Sequence, residues 1–303
     1  MSVRKSCGAL ASAAAIAAAV VSAAGTPAAQ AAPGGCPDLY VVAVPGTWET
    51  SREDPREGML SAVTDGLPGN IRTDYVSYAA TAMPWEGEVY GRSKQEGFDN
   101  ARNLVADMGR ACPATRIALL GYSQGADAAG DLAAQIGTGL GVVPPDRVAA
   151  VGLLADPRRS PTDPMVGPPV PGAGAGGPRI GGFGWLTPRV RSICAVGDLY
   201  CSTPDDDYAT RIAGFFAQLS APDPGLANRY QQEAQSIIND LMAAGGLPML
   251  QSQFTDSANE QRRQELEEFY SSKVHQEYAS YVVDGNGATA TGWLRHWLLD
   301  AAR

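Results

Sequence analysis

Short apolar runs alternate along the chain with longer stretches in which apolar residues return every third or fourth position. Leu39–Val44 (LYVVAV) carries no charge and stops at Pro45-Gly46, the pattern of a short strand buried on both faces. Ile71–Ala79 reads as a second strand. Gly97, Phe98, Ala101, Leu104, Val105 and Met108 recur at helical spacing. Arg116–Leu120 is a third strand, running into Gly121-Tyr122-Ser123-Gln124-Gly125-Ala126 and then an Ala-rich helix to about Ile136. Val148–Ala155 and Val190–Val196 complete a set of five. Strands alternating with helices predict parallel βαβ units and an α/β fold whose central sheet is flanked by helices.

Two regions break this alternation. Residues 157–188 are a Pro/Gly-rich excursion. Within it Gly172-Ala173-Gly174-Ala175-Gly176-Gly177 matches G-x-G-x-x-G literally. A nucleotide loop is rejected there, because no strand leads in and no helix follows to offer its N-terminus to a pyrophosphate. From about Asp207 to Tyr281 the pattern turns helical. Asp223-Pro224 reads as an N-cap with Pro at the first helical position. Leu226, Tyr230, Ala234, Ile237 and Leu241 then form an apolar stripe. A further helix covers roughly Ala258–Tyr270, with Leu266, Phe269 and Tyr270 on one face, and a last one Thr291–Ala302.

Residues 1–31 read as a secretory signal, with Arg4 and Lys5 ahead of the apolar stretch Ala9–Ala24 and cleavage expected near Ala31. The expected mature chain, 32–303, is one α/β domain, and the protein is secreted or held at the cell envelope. Cys7 goes with the leader. The remaining Cys36, Cys112, Cys194 and Cys201 form an even set, which in an exported protein favours two disulfides. Cys194 and Cys201 enclose a short loop, which leaves Cys36 with Cys112. Of 303 residues 45% are hydrophobic and 18% charged, so a buried core is expected and wholesale disorder is excluded. The formal charge is −9. An acidic chain without a basic patch is a poor partner for nucleic acid.

The chemistry centres on Gly121-x-Ser123-x-Gly125 between a strand and a helix, the nucleophile-elbow pattern. The turn is tight enough that side chains two before and two after the serine would collide with neighbouring backbone. The helix behind it offers N–H groups and a positive dipole end to a developing oxyanion. A serine nucleophile needs a base, and His275 and His296 both follow it in the chain. His296 lies inside the Trp/Leu-rich terminal helix and reads as a helix-surface histidine. His275 precedes that helix, where a loop crosses the carboxyl edge of the sheet, and is preferred. For the acid, Asp198 is chosen over Asp156, since the short Cys194–Cys201 loop would hold its carboxylate rigidly.

These residues carry a resemblance. Gly121-Tyr122-Ser123-Gln124-Gly125-Ala126 resembles the serine motif of the cutinase family. Cys194-Ala195-Val196-Gly197-Asp198-Leu199-Tyr200-Cys201 resembles its aspartate-bearing disulfide loop, His275-Gln276-Glu277-Tyr278 its His-x-x-Tyr, and Pro45-Gly46-Thr47-Trp48-Glu49-Thr50 the turn after its first strand. Cys36 and Cys112 fall where that family places its other disulfide. The resemblance implies an α/β-hydrolase serine esterase with Ser123 as nucleophile, His275 as base and Asp198 orienting it. It also implies an oxyanion hole from the N–H groups of Gln124 and Thr47, with the Thr47 hydroxyl; Trp48 stands where the family has a small residue and is expected to narrow or line the acyl site. No cofactor or metal is expected.

Two departures stand out. Seventy-six residues separate Asp198 from His275, much of it amphipathic helix, and the 157–188 excursion is long. Both follow strand carboxyl ends and are expected to overhang the site. The helical segment 207–270 is thus an insertion between acid and base, either a lid whose stripes border the acyl pocket or an ornament packed elsewhere. Such elaborated relatives resemble the cutinase-like proteins of mycolate-containing actinobacteria, which act on envelope lipids. The expected function is a secreted, lipolytic serine carboxylic-ester hydrolase, a monomer at or near the envelope, with acyl esters, envelope lipids or thioesters as substrates. The rivals are a carbohydrate deacetylase such as an acetylxylan esterase, and a non-catalytic envelope-binding protein.

Overall fold

The structure, a computed structural model, describes residues 35–303; the expected leader, its cleavage point and Cys7 lie outside them. In chain order the elements are β1 Leu39–Val44, α1 Ser61–Thr64, β2 Ile71–Tyr75, α2 Tyr90–Ala111, β3 Arg116–Tyr122, α3 Gln124–Gly137, β4 Val148–Leu154 and β5 Val190–Ile193. Then follow α4 Tyr208–Gln218, α5 Ala227–Ala243, α6 Leu247–Ser252, α7 Asp256–Ser272 and α8 Ala290–Ala301. The five strands make one parallel sheet in the order β2-β1-β3-β4-β5.

The strand pattern follows from cover on both faces. Tyr40, Val42 and Val44 of β1 point to α2 and α3 and meet Val105 and Leu132. Leu39, Val41 and Ala43 point the other way, to α1 and α8, and meet Val63, Leu294 and Leu298. With no face left for water, β1 has no polar alternation, and each buried large side chain contributes about 1.5–3 kcal/mol. The α/β-hydrolase arrangement expected from the sequence is the one observed.

The edge strands are shorter than their apolar runs. β2 ends at Tyr75 rather than Ala79. Val76 N–H still reaches Ala43 O at 2.8 Å, but Tyr78 then turns in to donate its hydroxyl to Pro45 O at 2.6 Å. β5 ends at Ile193 rather than Val196, because Cys194 is already tied to Cys201. The other pair is Cys36–Cys112. Both are the pairs expected.

The stripe on α5 is only partly an apolar contact. Leu241 is buried, whereas Leu226, Tyr230, Ala234 and Ile237 are half-buried. The most buried polar group on that face is Glu233, paired with the guanidinium of Arg158. The segment 172–177 is pinned through its backbone, with Gly174 N–H on Arg159 O at 2.9 Å and Gly176 N–H on Pro157 O at 2.8 Å.

Candidate active site

β3 delivers Ser123 at its carboxyl end with φ +55° and ψ −122°, a conformation that a non-glycine residue holds only when its surroundings impose it. Ser123 N–H is held by Leu154 O of β4 at 2.9 Å. The flanking glycines are steric necessities. A Cβ on Gly121 would lie 2.5 Å from Ala126 Cα, and one on Gly125 would lie 2.0 Å from Val44 O. The elbow exists because two places have no room for a methyl group.

Ser123 Oγ lies 2.9 Å from His275 Nε2, and His275 Nδ1 lies 2.8 Å from Asp198 Oδ2. A carboxylate at Nδ1 favours the proton there, which leaves Nε2 to accept from the serine hydroxyl. The imidazole is placed by its own backbone. α7 ends at Lys273 in the left-handed region (φ +55°), and a 3-10 turn, Val274–Gln276, follows. His275 O then accepts from Tyr122 Oη at 2.5 Å, and the rings of Tyr200 and Tyr122 lie 4.7 and 5.3 Å from the imidazole.

Asp198 is fully buried in the Cys194–Cys201 loop. Its Oδ1 accepts from Tyr200 N–H at 3.1 Å, and its Oδ2 from the Tyr278 hydroxyl at 2.7 Å as well as from His275. Burial, and then the Asp198 charge, push the Tyr278 phenol well above its usual range, so it stays a donor. Tyr278 Oη also accepts from Ala195 N–H at 3.0 Å. The sequence signalled Tyr278 only as the end of His-x-x-Tyr; its spacing after His275 was the one clue to this support.

The alternatives lie elsewhere. His296 is exposed on α8, with Nδ1 turned to Gly292 O at 2.8 Å. Asp156 is buried at the end of β4, paired with Arg179 Nη1 at 2.5 Å.

Thr47 sits in a turn fixed from both sides. Gly46 N–H donates to Glu49 Oε2 at 2.8 Å, and Trp48, at φ +65°, donates its N–H to Ala80 O at 2.8 Å. Among the described residues Thr47 N–H has no partner in the chain. Gln124 N–H opens α3, where a helix has no acceptor for it. The Gln124 side chain is buried and occupied, accepting from Ser93 Oγ at 3.1 Å and donating to Thr81 O at 2.9 Å. Glu49 also accepts from Met59 N–H at 2.8 Å, and burial pushes its carboxyl above the ordinary range despite those two bonds.

Ser123 and His275 open on a cleft of about 660 Å³. One side is Thr47, Trp48, Met59 and Met83. The opposite side is Pro157, Ala175 and Gly176 of the excursion, Gly214, Ala217 and Gln218 of α4, and Phe269 and Tyr270 of α7. Of the two placements left open for the helical segment, the α5 stripe stays out of this lining, while α4 and the end of α7 contribute to it.

The family model described as Cutinase matches residues 35–213, more than half of the chain. The chain belongs to the cutinase family. It is 35% identical over 211 residues to the Carboxylesterase Culp6 homolog of Corynebacterium glutamicum, covering 57% of this chain and 67% of that one. It is 30% identical over 227 residues to Carboxylesterase Culp1 of Mycobacterium tuberculosis, covering 73% and 89%. Among solved structures, the catalytic core domain of acetyl xylan esterase from Trichoderma reesei is 24% identical over 67% of this chain and 98% of that one, at a TM-score of 0.47. As a family member the chain is a carboxylic-ester hydrolase. The family match ends inside α4, ahead of α5–α7 and His275. No helix among the described residues is long and apolar enough to cross a membrane.

Proposed function

We propose that this cutinase-family chain is an exported serine esterase that cleaves lipid acyl esters, with Ser123 as nucleophile, His275 as base and Asp198 as its orienter. The observation that carries this reading is the hydrogen-bonded chain Ser123–His275–Asp198, at 2.9 and 2.8 Å, opening on an apolar cleft. Ser123 Oγ attacks the ester carbonyl as its proton passes to His275 Nε2. The imidazolium so formed is stabilised by the Asp198 carboxylate. Negative charge on the carbonyl oxygen is received by the N–H groups of Gln124 and Thr47, each worth about 2.7–4 kcal/mol in sites of this kind. The carbon–oxygen bond to the alcohol then breaks, and His275 returns the proton to the leaving alcohol. Water, deprotonated by His275, attacks the acyl-serine and releases the acid.

Export fits the leader-like residues 1–31 and the two disulfides. The apolar walls at Met59, Met83 and Phe269 favour acyl chains over the narrow polar site a carbohydrate deacetylase would need. Envelope lipids and thioesters are the candidate natural substrates, in keeping with relatives named carboxylesterase and, for Culp4 of Mycobacterium tuberculosis, phospholipase. A series of nitrophenyl esters of rising acyl length tests the reading, with a fluorophosphonate to label Ser123. Turnover extending well beyond acetyl supports it. Activity confined to acetyl would favour the deacetylase, and absent labelling a non-catalytic binding protein.

A further inference from the structure

Behind the cleft lies a buried group of charges that the ester chemistry does not use. Four carboxylates, Asp127, Asp131, Asp156 and Glu233, meet four cations, Lys94, Arg158, Arg179 and Arg229. They come from separate stretches of chain: Lys94 from α2, Asp127 and Asp131 from α3, Asp156 from the end of β4, Arg158 and Arg179 from the excursion, Arg229 and Glu233 from α5. Isolated charges at this depth would be severely penalised, so the group persists because the two signs balance and every carboxylate has a cation within 4.0 Å, although Asp127 Oδ1 and Glu233 Oε2 accept no hydrogen bond.

Two carboxylates of the helix that carries Ser123 reach into the 207–270 segment. Asp127 Oδ2 accepts from Tyr90 Oη of α2 at 2.8 Å and from Gln218 Nε2 of α4 at 2.5 Å. Tyr90 and Gln218 both line the cleft, so one carboxylate joins a wall of the α/β core to a wall from the segment. One turn further on, Asp131 Oδ1 meets Arg229 Nη2 of α5 at 3.2 Å, and Arg229 Nε also holds Glu233 at 3.1 Å. Backbone closes the rest. Gly91 N–H donates to Ser220 Oγ just beyond α4 at 2.8 Å, and a Cβ on Gly214 would lie 1.8 Å from Ala175 O.

α7 has nothing comparable. Its ties are Phe269 against Tyr200, an exposed hydroxyl pair between Tyr270 and Tyr200 at 3.0 Å, and Arg262, which donates to Gln253 O at 3.3 Å and lies 3.8 Å from the half-buried Asp207 at the start of α4. Its other ion pairs, Arg263 with Glu260 and Glu267, stay on its own exposed surface.

We propose that α4, backed by α5, forms a fixed wall of the acyl cleft, bolted to the Ser123 helix through Asp127 and Asp131, with Arg229 as the positioning residue of that wall and α7 as a separate, more loosely tied cover. This rests on the proposed esterase reading and adds where selectivity for the acyl chain is set. Arg229 touches no part of the cleft; it acts by holding α5 in place behind α4, to which α5 is tied by Arg211 on Asp240.

Arg229→Met tests this in the full-length protein. The substitution orphans no carboxylate: Asp131 keeps Lys94 and Arg179, each at 2.9 Å, and Glu233 keeps Arg158. Nitrophenyl acetate turnover is expected to stay within about twofold of wild type, while KM for nitrophenyl decanoate rises about tenfold with kcat nearly unchanged. Arg229→Lys, which keeps the cation, should recover most of that loss. By hydrogen exchange, wild-type α5 should be slower than α7, and Arg229→Met should speed exchange over 208–243 while 124–137 stays as it was. Equal change on both esters, no change on either, or α5 exchanging as fast as α7 in the wild type overturns the proposal. If the wild type hydrolyses neither ester, the esterase reading falls and the exchange measurement still decides the wall.

Discussion

α5 and α7 are both seventeen-residue helices from the same segment, yet they attach to the molecule in opposite ways. α5 places Arg229 and Glu233 into the charge group behind Ser123 and buries Leu241. α7 spends most of its charges along its own surface, reaches off it only through Arg262 to the half-buried Asp207, and buries only Phe269 among its residues. Both are polar, Gln- and Glu-containing helices to the eye. What separates them is where the charges find partners. A buried, geometrically closed ion pair resists opening because breaking it strands a charge away from water, whereas an exposed i,i+4 pair contributes about 0.3–0.5 kcal/mol and opens freely.

The comparison matters only if the cleft lined by α4 and α7 is the reacting site, and that is the largest expected effect. Ser123→Ala and His275→Ala should each lower kcat by roughly four to six orders of magnitude, because the members of such a unit fail together. His296→Ala, on the exposed face of α8, should leave the rate unchanged. A dead His296→Ala in a folded protein would move the base, and with it the meaning of α7, whose end delivers His275.

The next largest effect concerns the frame that both helices depend on. Opening Cys36–Cys112, which spans 76 residues of sequence, should cost on the order of 4 kcal/mol in the chain-entropy account, read as a lowered Tm. Opening Cys194–Cys201 should cost less stability and more activity, since that loop holds Asp198. Mild reduction should therefore inactivate before it unfolds; coincident loss of activity and near-ultraviolet circular dichroism would contradict this.

The helices themselves can be compared by truncation. Leu241→Ala on α5 should cost about 2 kcal/mol, at the low end for a buried leucine. Leu266→Ala on α7, where the side chain is 40% exposed, should stay within about 0.5 kcal/mol. Equal shifts in denaturant midpoint would erase the contrast between wall and cover.

The smallest effect extends the contrast to the excursion on which α4 rests. Burial pushes Asp163 up to about 6 from 3.8, against the pull of its hydrogen bond from Ser160 N–H. Between those values the folded protein holds a proton that the unfolded chain has released. The stability this provides is present at low pH and is lost as pH rises through about 6. Asp163→Asn should thus be more stable than wild type at pH 8 by about 1 kcal/mol and show no gain at pH 4. A gain that is the same at both pH values would mean the effect is not titration.

Much of the fold was legible because it is written in local pattern. Uncharged strands such as Leu39–Val44 can only be buried on both faces, and Gly121 and Gly125 mark a turn that tolerates no Cβ. α2 was seen only from Gly97 onward, since its first turns bury Gly91, Ser93 and Lys94, which carry no apolar period. Edge strands were overestimated because hydrophobic runs continue past the last paired residue. Tyr278 was visible as a motif letter, but its role is a hydroxyl lying between Asp198 and Ala195, which no spacing reveals.

By itself, the sequence determined the family, the α/β layering, the elbow at Ser123, the two cysteine pairs and the residues His275 and Asp198 that the structure brings to it. Most of these depend on a motif or period contained within a few residues, and the Cys36–Cys112 pair follows once the short Cys194–Cys201 loop is taken. The tertiary structure alone decided that Lys94, Asp127, Asp131, Asp156, Arg158, Arg179, Arg229 and Glu233 share one buried volume. It also decided that α4 and α7, rather than the apolar stripe of α5, line the cleft. A charged residue in a sequence reads as surface by default, because water is its cheapest partner. Only when packing removes the water, and brings the opposite sign within hydrogen-bonding distance, does that residue become part of the interior.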